Sequence, residues 1–473
     1  MMHPAHTPDR PTEMATQLAE FAAGAKYENL PAPAVDGAKK SLLDTLGVIL
    51  AASGTEPAAR AAVDVVRDTG GHPQATVLGH GFQAPALMAA FANGAMAHCL
   101  NFDDQTPWGQ HCGTSIVPAA LAVAERQGGI TGQDLITSVA VGQDIFTRLR
   151  RHVGWRQDWN LSSVIGVLAA TATAGRLLNL PPHRLAHAFS FGAIQSGGFM
   201  EMVSGPGSEL GGMYAGFSAK GGVLAAFLAQ AGAKGTTTLF EGTNGFFATY
   251  FGGSYDRGKI LENLGEEFYG ATTLYKPWAA VGTAHSHIHA TLHAMADHGL
   301  SSHDIQEIRV HVGDCHEGLC VPQEARRAPA TLMDARFSLP FLVAMAAVHG
   351  DLRARDLTEE ALKDRRVLDF ARKVVAVPDP ALDWKDELPS GRVEVVTRDG
   401  QVIQQSGEHT PGSAARPLTW NDIAEKFTDC AALAAVPPSA QQIAIAQRTA
   451  ANLEAVDDAR ELVRSLTQMP NEH

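Results

Sequence analysis

Residues His98–Ala120 read HCLNFDDQTPWGQHCGTSIVPAA, and the rest of the chain is organised around this stretch. The preceding FQAPALMAAFANGAMA is an apolar, alanine-rich pattern that predicts a helix, and another apolar run begins at Ser115. Pro107, Gly109 and Gly113 break any helix between the two. A polar loop held between two apolar helices is typical of a functional site.

Two acids and one histidine give this loop its chemistry. Asp103 and Asp104 supply carboxylates, and His111 supplies a group that exchanges protons near neutral pH. A structural alternative is that the two acids cap a helix and that His111 is a loop histidine with satisfied hydrogen bonds. The stretch by itself leaves both interpretations open.

The chain is mainly helical in pattern up to about residue 269. Helical spacing of apolar residues predicts helices at 13–25, 35–52, 57–69, 85–98, 115–126, 132–151, 161–178, 182–199 and 213–231. Residues 1–12 are polar and predict a disordered arm. Helices return between Thr419 and Thr467.

The pattern changes between residues 270 and 406. Strands are predicted at 272–277, 305–313, 373–377, 392–398 and 400–406, with helices at 283–298 and 334–349. The last two strands are joined by Asp399 and Gly400, a pair that favours a hairpin turn. The predicted fold class is therefore multidomain and mainly α. A large all-α helical domain spans 1–269 and 407–473, and a smaller α+β lid domain spans 270–406.

Composition narrows the range of partners. The 473 residues carry a net charge of −13, which argues against a nucleic-acid partner. No apolar run is long enough for a membrane span or a signal peptide, so we expect no membrane partner. The 5 cysteines show no C-x-x-C spacing, which is typical of a reducing compartment. We therefore expect a cytoplasmic protein.

Three stretches, taken together, resemble the MmgE/PrpD family. In the first, the pattern H-x-x-D-F-D-D-T, H-P-S, V-x-P-A-A-L-A is matched by His98, Phe102, Asp103, Asp104, His111, Ser115, Val117, Pro118, Ala119, Ala120 and Leu121. The second runs from Tyr275-Lys276-Pro277-Trp278 to Ala284-His285 and Ile288. The third is Asp334-Ala335-Arg336-Phe337-Ser338-Leu339-Pro340-Phe341. Arg148 also matches a frequent family arginine.

The resemblance implies a fold, a chemistry and an assembly. It implies a helical domain, a smaller lid and a site between them, commonly in a homodimer. Family members include 2-methylcitrate dehydratase, cis-aconitate decarboxylase and iminodisuccinate epimerase, which act on polycarboxylates with no organic cofactor. In their shared chemistry a base moves a proton at a carbon beside a carboxylate, while cations hold the carboxylates.

Several positions depart from the family pattern. Asn101 stands in place of an acid, Gln105 in place of threonine, and Cys112 in place of proline. Asn160 replaces a histidine, and Gly211 lies where the family usually has a lysine before Met213-Tyr214-Ala215-Gly216. Ala280 replaces a cysteine and His289 an aspartate. Because a charge-assisted contact contributes roughly 1.5–3 kcal/mol, we expect weak binding of tricarboxylates.

Other constellations carry weaker signals. His285, His289 and His293 have the i, i+4, i+8 spacing of one helix face, which is compatible with zinc. No Glu follows the first histidine and no further carboxylate ligand is evident, so we expect no metal. The glycines near Gly207 lack phosphate-loop spacing, which argues against a nucleotide.

The sequence thus predicts a cofactor-independent lyase, a dehydratase or decarboxylase acting on a small hydroxy- or unsaturated carboxylic acid. His111 is the predicted proton-transferring residue, Lys276 a carboxylate clamp or proton donor, and Asp103 the residue that orients His111. Predicted substrate contacts come from Asn101, Asp104, Gln105, Arg148, Asn160, Tyr214 and His285. His111 and Lys276 are expected to face the same pocket. An epimerase of the iminodisuccinate type and a catalytically silent homologue that binds a small acid remain as alternatives.

Overall fold

The computed structural model describes residues 12–204 and 208–467. The predicted arm, apart from Thr12, lies outside these residues, as does Gly207 of the glycine-rich stretch. The first part of the chain is helical, with one short hairpin. Its helices are α1 Met14–Gly24, α2 Ala32–Thr55, α3 Pro57–Thr69, α4 Ala86–His98, α5 Gly113–Gln127, α6 Gly132–His152, α7 Leu161–Leu177, α8 Pro182–Ala193, α9 Glu201–Ser204, α10 Leu210–Gln230, α11 Phe246–Phe251 and α12 Arg257–Leu261. The hairpin joins β1 Ala75–Val77 to β2 Phe82–Ala84.

The second part mixes helices with one sheet. Its elements are α13 His285–Asp297, β3 Ile305–Val312, α14 Glu317–Cys320, α15 Gln323–Arg327, α16 Leu332–Arg336, α17 Leu339–His349, α18 Arg365–Ala371, β4 Val374–Pro378, β5 Arg392–Thr397 and β6 Val402–Ser406. The chain ends with α19 Trp420–Ala431, α20 Ala440–Ala451 and α21 Arg460–Arg464. We call α1–α12 and α19–α21 the helical body.

The body is packed around α10. This helix lies against α4, α7 and α8, and the faces that meet are rich in glycine and alanine. A Cβ at Gly94 would lie 2.8 Å from the Cα of Gly216, and one at Gly216 would lie 2.4 Å from the carbonyl oxygen of Phe91. Only residues without a side chain permit this approach, since real Cβ contacts are longer. The glycines on these faces thus allow close helix packing.

The sheet has the strand order β4-β3-β5-β6. Strand β3 is parallel to β4 and antiparallel to β5, which pairs with β6 across the turn at Asp399 and Gly400. The alternating burial of β5 places Val393 and Val395 in the core, on the side where α13 packs. The hairpin prediction at 392–406 is therefore confirmed, and so is the mainly α fold with a small mixed sheet. The division of the chain at residues 270 and 406 stays a prediction.

Two local predictions are wrong. The stretch 272–277 forms no strand, because only Leu274 pairs with the neighbouring chain, in a single bridge to Gln105. The predicted helix 334–349 is broken at Phe337, and the hydroxyl of Ser338 then accepts the backbone N–H of Phe341 to begin α17. None of the helices within 12–204 and 208–467 is both long and apolar enough to cross a membrane.

Candidate active site

A cavity of about 260 Å³ lies between the helical body and residues 281–388. The body contributes the loop after α4 and the N-terminal ends of α7 and α10. The opposite side is formed by residues such as Thr283, Cys315, Met333 and Trp384. We call this space the active-site cavity, because its wall contains five of the ten site residues that the sequence predicts, including His111.

A buried triad lies in the wall of this cavity. The Nδ1 atoms of His98 and His111 lie 3.0 Å and 2.8 Å from the carboxylate of Asp103, which is fully buried. The two imidazole rings are 4.7 Å apart, and the ring of Tyr214 lies 4.6 Å from that of His98. One carboxylate therefore orients two neighbouring histidines.

The hydrogen bonds of His111 determine its tautomer. Its Nδ1 meets two acceptors, the Asp103 carboxylate at 2.8 Å and the Asp104 carbonyl oxygen at 2.7 Å. An atom between two acceptors has to carry the proton, which leaves the lone pair of the neutral ring on Nε2. Burial lowers the pKa of His111, although Asp103 opposes this effect. At neutral pH the ring is therefore an uncharged base with its free nitrogen on the cavity side.

Asp103 is kept ionised. Burial alone would raise its pKa, but His98, His111 and the ammonium of Lys276 together hold it well below the usual value. Lys276 is itself buried, and burial together with Lys426 lowers its pKa to about 8. The triad is thus built on a permanent anion balanced by a nearby lysine.

Asp104 has a different environment and a structural role. Its carboxylate accepts hydrogen bonds from Ser41 Oγ on α2 and from the backbone N–H of Gly113 at the start of α5, both at 2.9 Å. Burial, with Asp44 and Asp103 nearby, raises its pKa to about 7. A Cβ at Gly113 would lie 2.5 Å from this carboxylate, so glycine is required there. Asp104 is not part of the cavity wall, where its predicted substrate contact would require it to lie.

A second ion pair supports the loop from behind. Lys426 on α19 lies 2.7 Å from Asp44 on α2 and donates to the Phe102 carbonyl oxygen at 2.6 Å. The ammonium also lies 3.8 Å from the ring centre of Phe102. The end of the chain thereby fixes the backbone immediately before Asp103.

Four of the predicted substrate contacts lie in the cavity wall, namely Asn101, Gln105, Asn160 and Tyr214. Asn101 has φ +50°, a conformation that asparagine adopts more readily than most residues. Asn160 caps α7 through its side-chain oxygen, which accepts from the N–H of Ser163 at 3.0 Å. Burial holds the pKa of Tyr214 well above its ordinary value, so its hydroxyl is a neutral donor at physiological pH.

Arg148 lies away from the cavity in which the sequence predicts that it contacts substrate. Its side chain is fully buried, pairs with Asp144 at 2.7 Å and donates to the carbonyl oxygens of Ile260, Glu262 and Glu267. These contacts join α6 to the segment after α12. The arginine is therefore a structural latch.

Lys276 and His285 belong to a neighbouring cavity of about 300 Å³, which shares Gln105 and Gly282 with the first. The ammonium of Lys276 donates to the Asn101 carbonyl oxygen at 2.8 Å, and His285 Nε2 donates to the Ala280 carbonyl oxygen at 3.2 Å. Burial and Lys276 lower the pKa of His285 to about 3. The structure thus places His111 and Lys276 in adjoining cavities, and the substrate contacts of Lys276 and His285 stay predictions.

Sequence reasoning missed several residues of the cavity. His98 stands in the quoted stretch, but nothing in one sequence shows that it shares Asp103 with His111. Gln110 and Ser162 also lie in the wall, and the Ser162 hydroxyl accepts from the backbone N–H of His111 at 3.1 Å. Cys315 contributes from the opposite side, with its sulfur 3.3 Å from His316 Nδ1.

The triad consists of residue types that also bind metal ions, namely two histidines and one aspartate. Among the described residues, His98, Asp103 and His111 form the group whose ligand atoms lie within 4.8 Å of one another. Their N···O separations of 2.8–3.0 Å are those of hydrogen bonds. Two ligands on one tetrahedral zinc lie roughly 3.3 Å apart, given bond lengths of about 2.0–2.1 Å. The arrangement therefore suits shared protons. His289 and His293 stack on each other at 5.5 Å on the outer side of α13, away from this group.

Four of the seven departures from the family pattern, at Asn101, Gln105, Asn160 and Gly211, lie in the wall of the same cavity. Gly211, where the family usually has a lysine, and Asn160, where it has a histidine, are both part of the wall. No described residue of this wall is a lysine or an arginine. The cavity is thus lined by neutral polar groups, two histidines and an apolar remainder.

Comparisons with known proteins match two family domains along the chain. The MmgE/PrpD N-terminal domain matches residues 16–257, and the MmgE/PrpD C-terminal domain matches residues 278–452. The chain is 24% identical to the cis-aconitate decarboxylase-like protein oryM of Aspergillus oryzae, over 94% of this chain and 96% of that protein. It is 24% identical to human cis-aconitate decarboxylase over 85% of each chain. It is 26% identical to 2-methylcitrate dehydratase of Cupriavidus necator over 96% of each. With both domains matched over most of its length, the chain belongs to the MmgE/PrpD family.

Proposed function

We propose that the protein is a lyase, a dehydratase or decarboxylase that moves a proton at the carbon beside a carboxylate of a small hydroxy- or unsaturated acid. The proposal needs no metal and no organic cofactor. The observation that carries it is the His98–Asp103–His111 triad beside the cavity. Relatives named as decarboxylases and a dehydratase support the reaction class.

His111 is the proposed base. In the dehydrating direction its Nε2 takes the proton from the carbon beside the carboxylate, the C–H electrons form the C=C bond, and the β-hydroxyl leaves with a proton as water. In a decarboxylation the C–C bond to the lost carboxylate supplies the electrons, and His111, which has first taken a proton from solvent, gives that proton to carbon as CO2 leaves. Asp103 stabilises the imidazolium, which is the product of proton transfer in dehydration and the proton donor in decarboxylation.

Tyr214 is the proposed proton donor to the leaving hydroxyl. Its phenol remains protonated, lies in the cavity wall and packs at a tilt against the ring of His98. Asn101, Gln105 and Asn160 are proposed to hydrogen-bond the substrate. Lys276 donates to the Asn101 carbonyl oxygen, and its positive charge balances the negative charge of Asp103. Lys276 therefore acts on the reaction through Asp103. It is therefore proposed as a positioning residue.

The test is proton NMR in D2O with a panel of hydroxy- and unsaturated acids. The wild-type protein is expected to form a new product from at least one acid, and His111→Ala is expected to lower kcat for that acid about 10²–10⁴-fold. Gln404→Leu, a change on the exposed face of β6, is the matched control. Lys276→Ala is expected to lower kcat/KM. Absence of both product formation and deuterium exchange across the panel would instead identify a catalytically silent homologue.

An isomerase is the second candidate, and Cys315 is the observation that favours it. An epimerase needs two proton-transfer groups on opposite faces of the substrate. His111 lies on the body side of the cavity, and the Cys315 thiol lies on the other. Burial raises the pKa of this thiol to about 12, so it carries a proton. Deuterium at the substrate carbon with retention of every substituent would indicate epimerisation, and loss of water or CO2 would indicate a lyase.

We also propose that the protein forms a homodimer. Several large apolar side chains of the body are exposed, with Ile194 at 84%, Phe199 at 58% and Phe217 at 49% exposure. Covering such side chains is a common result of self-association. Sedimentation equilibrium of the wild type and of Phe217→Ser measures whether they lie in an interface.

A further inference from the structure

Two cations beside the active-site cavity stand behind amide groups. Arg150 donates through Nε to the side-chain oxygen of Gln110, and through Nη2 to the Trp108 carbonyl oxygen at 2.8 Å. Its guanidinium also packs on the ring of Trp155, 5.1 Å from the ring centre. Lys276 stands in the same way behind the backbone of Asn101. Each positive charge therefore acts on the cavity through a polarised amide.

Two of these amides keep a free N–H donor group. Because the Gln110 oxygen is used by Arg150, its NH2 group is the part left for a ligand. Because the Asn160 oxygen caps α7, its NH2 group is likewise left. Neither amide nitrogen makes any of the hydrogen bonds found among the described residues, and both side chains belong to the cavity wall. Both N–H donor groups thus belong to the wall of one cavity, and Arg150 stands behind the first of them.

Much of the remaining wall is apolar. It is formed by Leu161, Met202, Leu319, Met333, Phe337 and Leu388. Met333 separates this cavity from a larger neighbouring one of about 710 Å³, whose wall includes Glu56, Glu209 and Glu359. A second or third carboxylate would lose its hydration in this surrounding without meeting a cation. The wall instead suits a hydrocarbon substituent, which flexible thioethers accommodate well.

We infer that the substrate carries a single carboxylate and an apolar substituent of several carbons. The carboxylate binds between Gln110 and Asn160, and the substituent lies against Leu319, Met333 and Phe337. This inference rests on the proposed function, since proton transfer by His111 takes place at the carbon beside that carboxylate. It separates this chain from enzymes that hold three carboxylates with cations.

The test uses unreactive acids, so that binding is measured apart from turnover. Isothermal titration calorimetry compares hexanoate, acetate and propane-1,2,3-tricarboxylate on the wild-type protein. Hexanoate is expected to bind at least tenfold more tightly than either of the others. Equal or tighter binding of the tricarboxylate overturns the inference, and so does equal binding of hexanoate and acetate.

Two isosteric variants test this carboxylate site without removing its structural contacts. Gln110→Glu still accepts from Arg150, and Asn160→Asp still caps α7, but each replaces an N–H donor by a carboxylate oxygen. Each variant is expected to raise the Kd for hexanoate at least tenfold, whereas Gln404→Leu should leave this Kd unchanged. Unchanged binding in both variants overturns the carboxylate site. Gly211→Lys is expected to strengthen tricarboxylate binding at least tenfold, and no gain contradicts the assignment of that wall.

The inference and the proposed function fail in different ways. Tight tricarboxylate binding together with rapid turnover of cis-aconitate would overturn the inference and leave the lyase function standing. Selective hexanoate binding without turnover or deuterium exchange of any hydroxy or unsaturated six-carbon monoacid would leave the binding site standing and overturn the function.

Discussion

Replacing Asp103 by asparagine tests the triad most directly. The carboxylate accepts from Nδ1 of both His98 and His111, at 3.0 Å and 2.8 Å. An asparagine offers one acceptor and one donor, so one of the two rings has to change its tautomer or lose its hydrogen bond. If His111 changes, its lone pair moves to Nδ1 and away from the cavity. We expect kcat to fall about 10²–10⁴-fold, the usual range for general acid–base catalysis.

The pH profile of Asp103→Asn supplies a second readout. Asp103 opposes the effect of burial by raising the pKa of His111, so its removal lowers that pKa further. A base has to be unprotonated to act, and activity therefore falls as the pH drops through the pKa of His111. We expect this acidic limb of kcat/KM to move to lower pH in the variant. The assay is the initial rate on the acid identified by NMR, between pH 4 and 8.

The reasoning about the triad is refuted by either of two results. One is a kcat within about threefold of the wild-type value in a folded Asp103→Asn protein. The other is an acidic limb that moves to higher pH, which would mean that His111 is not the titrating base. Circular dichroism shows whether the variant is folded, and Asp369→Asn on the exposed surface is the control for the loss of one negative charge.

Three further predictions concern buried groups. Arg148→Met leaves Asp144 buried without its partner, so we expect the free energy of unfolding in urea to fall by about 3–5 kcal/mol. The exposed Arg372→Met is the control and should lower it by at most about 1 kcal/mol. Similar losses in the two variants would contradict the structural role of Arg148. Lys276 has a pKa of about 8 in the fold against an ordinary value of 10.5, so the unfolded chain binds more protons between these values and stability rises with pH there, by about 3 kcal/mol. The difference in unfolding free energy between the wild type and Lys276→Met should show this rise from pH 8 to 10, and a flat difference would count against it. Gly113→Ala places a Cβ 2.5 Å from the Asp104 carboxylate, so we expect it to lower the melting temperature, whereas Gly318→Ala, with open space around it, should not.

The sequence predicted the elements whose pattern is local. Alternation in β3, β5 and β6 is visible in the chain, and so is the Asp399-Gly400 turn. The parallel pairing of β4 with β3 is not, because their contacts join residues more than 60 positions apart. The break at Ser338 was missed because an apolar run continues through it, and only the capping hydrogen bond decides where α17 begins.

The sequence was sufficient to predict which loop contributes to the candidate site, but not all of the residues that line the cavity. His111, Asn101, Asn160 and Tyr214 all lie in the cavity, since the resemblance marked their positions. Arg148 was predicted to lie in the cavity because the sequence does not show whether an arginine donates to a ligand or to backbone carbonyl oxygens. Gln110 was missed because its role depends on Arg150, 40 positions away, which takes one end of its amide.

Asp103 and Asp104 show that the surroundings of a carboxyl group, more than its residue type, determine its pKa and its role. Asp103 and Asp104 are both fully buried, yet the pKa of the first is held well below its ordinary value and that of the second is raised to about 7. Asp103 faces His98, His111 and Lys276, whereas Asp104 faces Asp44 and accepts from Ser41 and Gly113. Titratable groups whose pKa values are pushed apart by their surroundings commonly mark different roles in a site. Here Asp103 orients the proposed base, His111. Asp104 joins α2 to α5 and thereby keeps Asp103 in position.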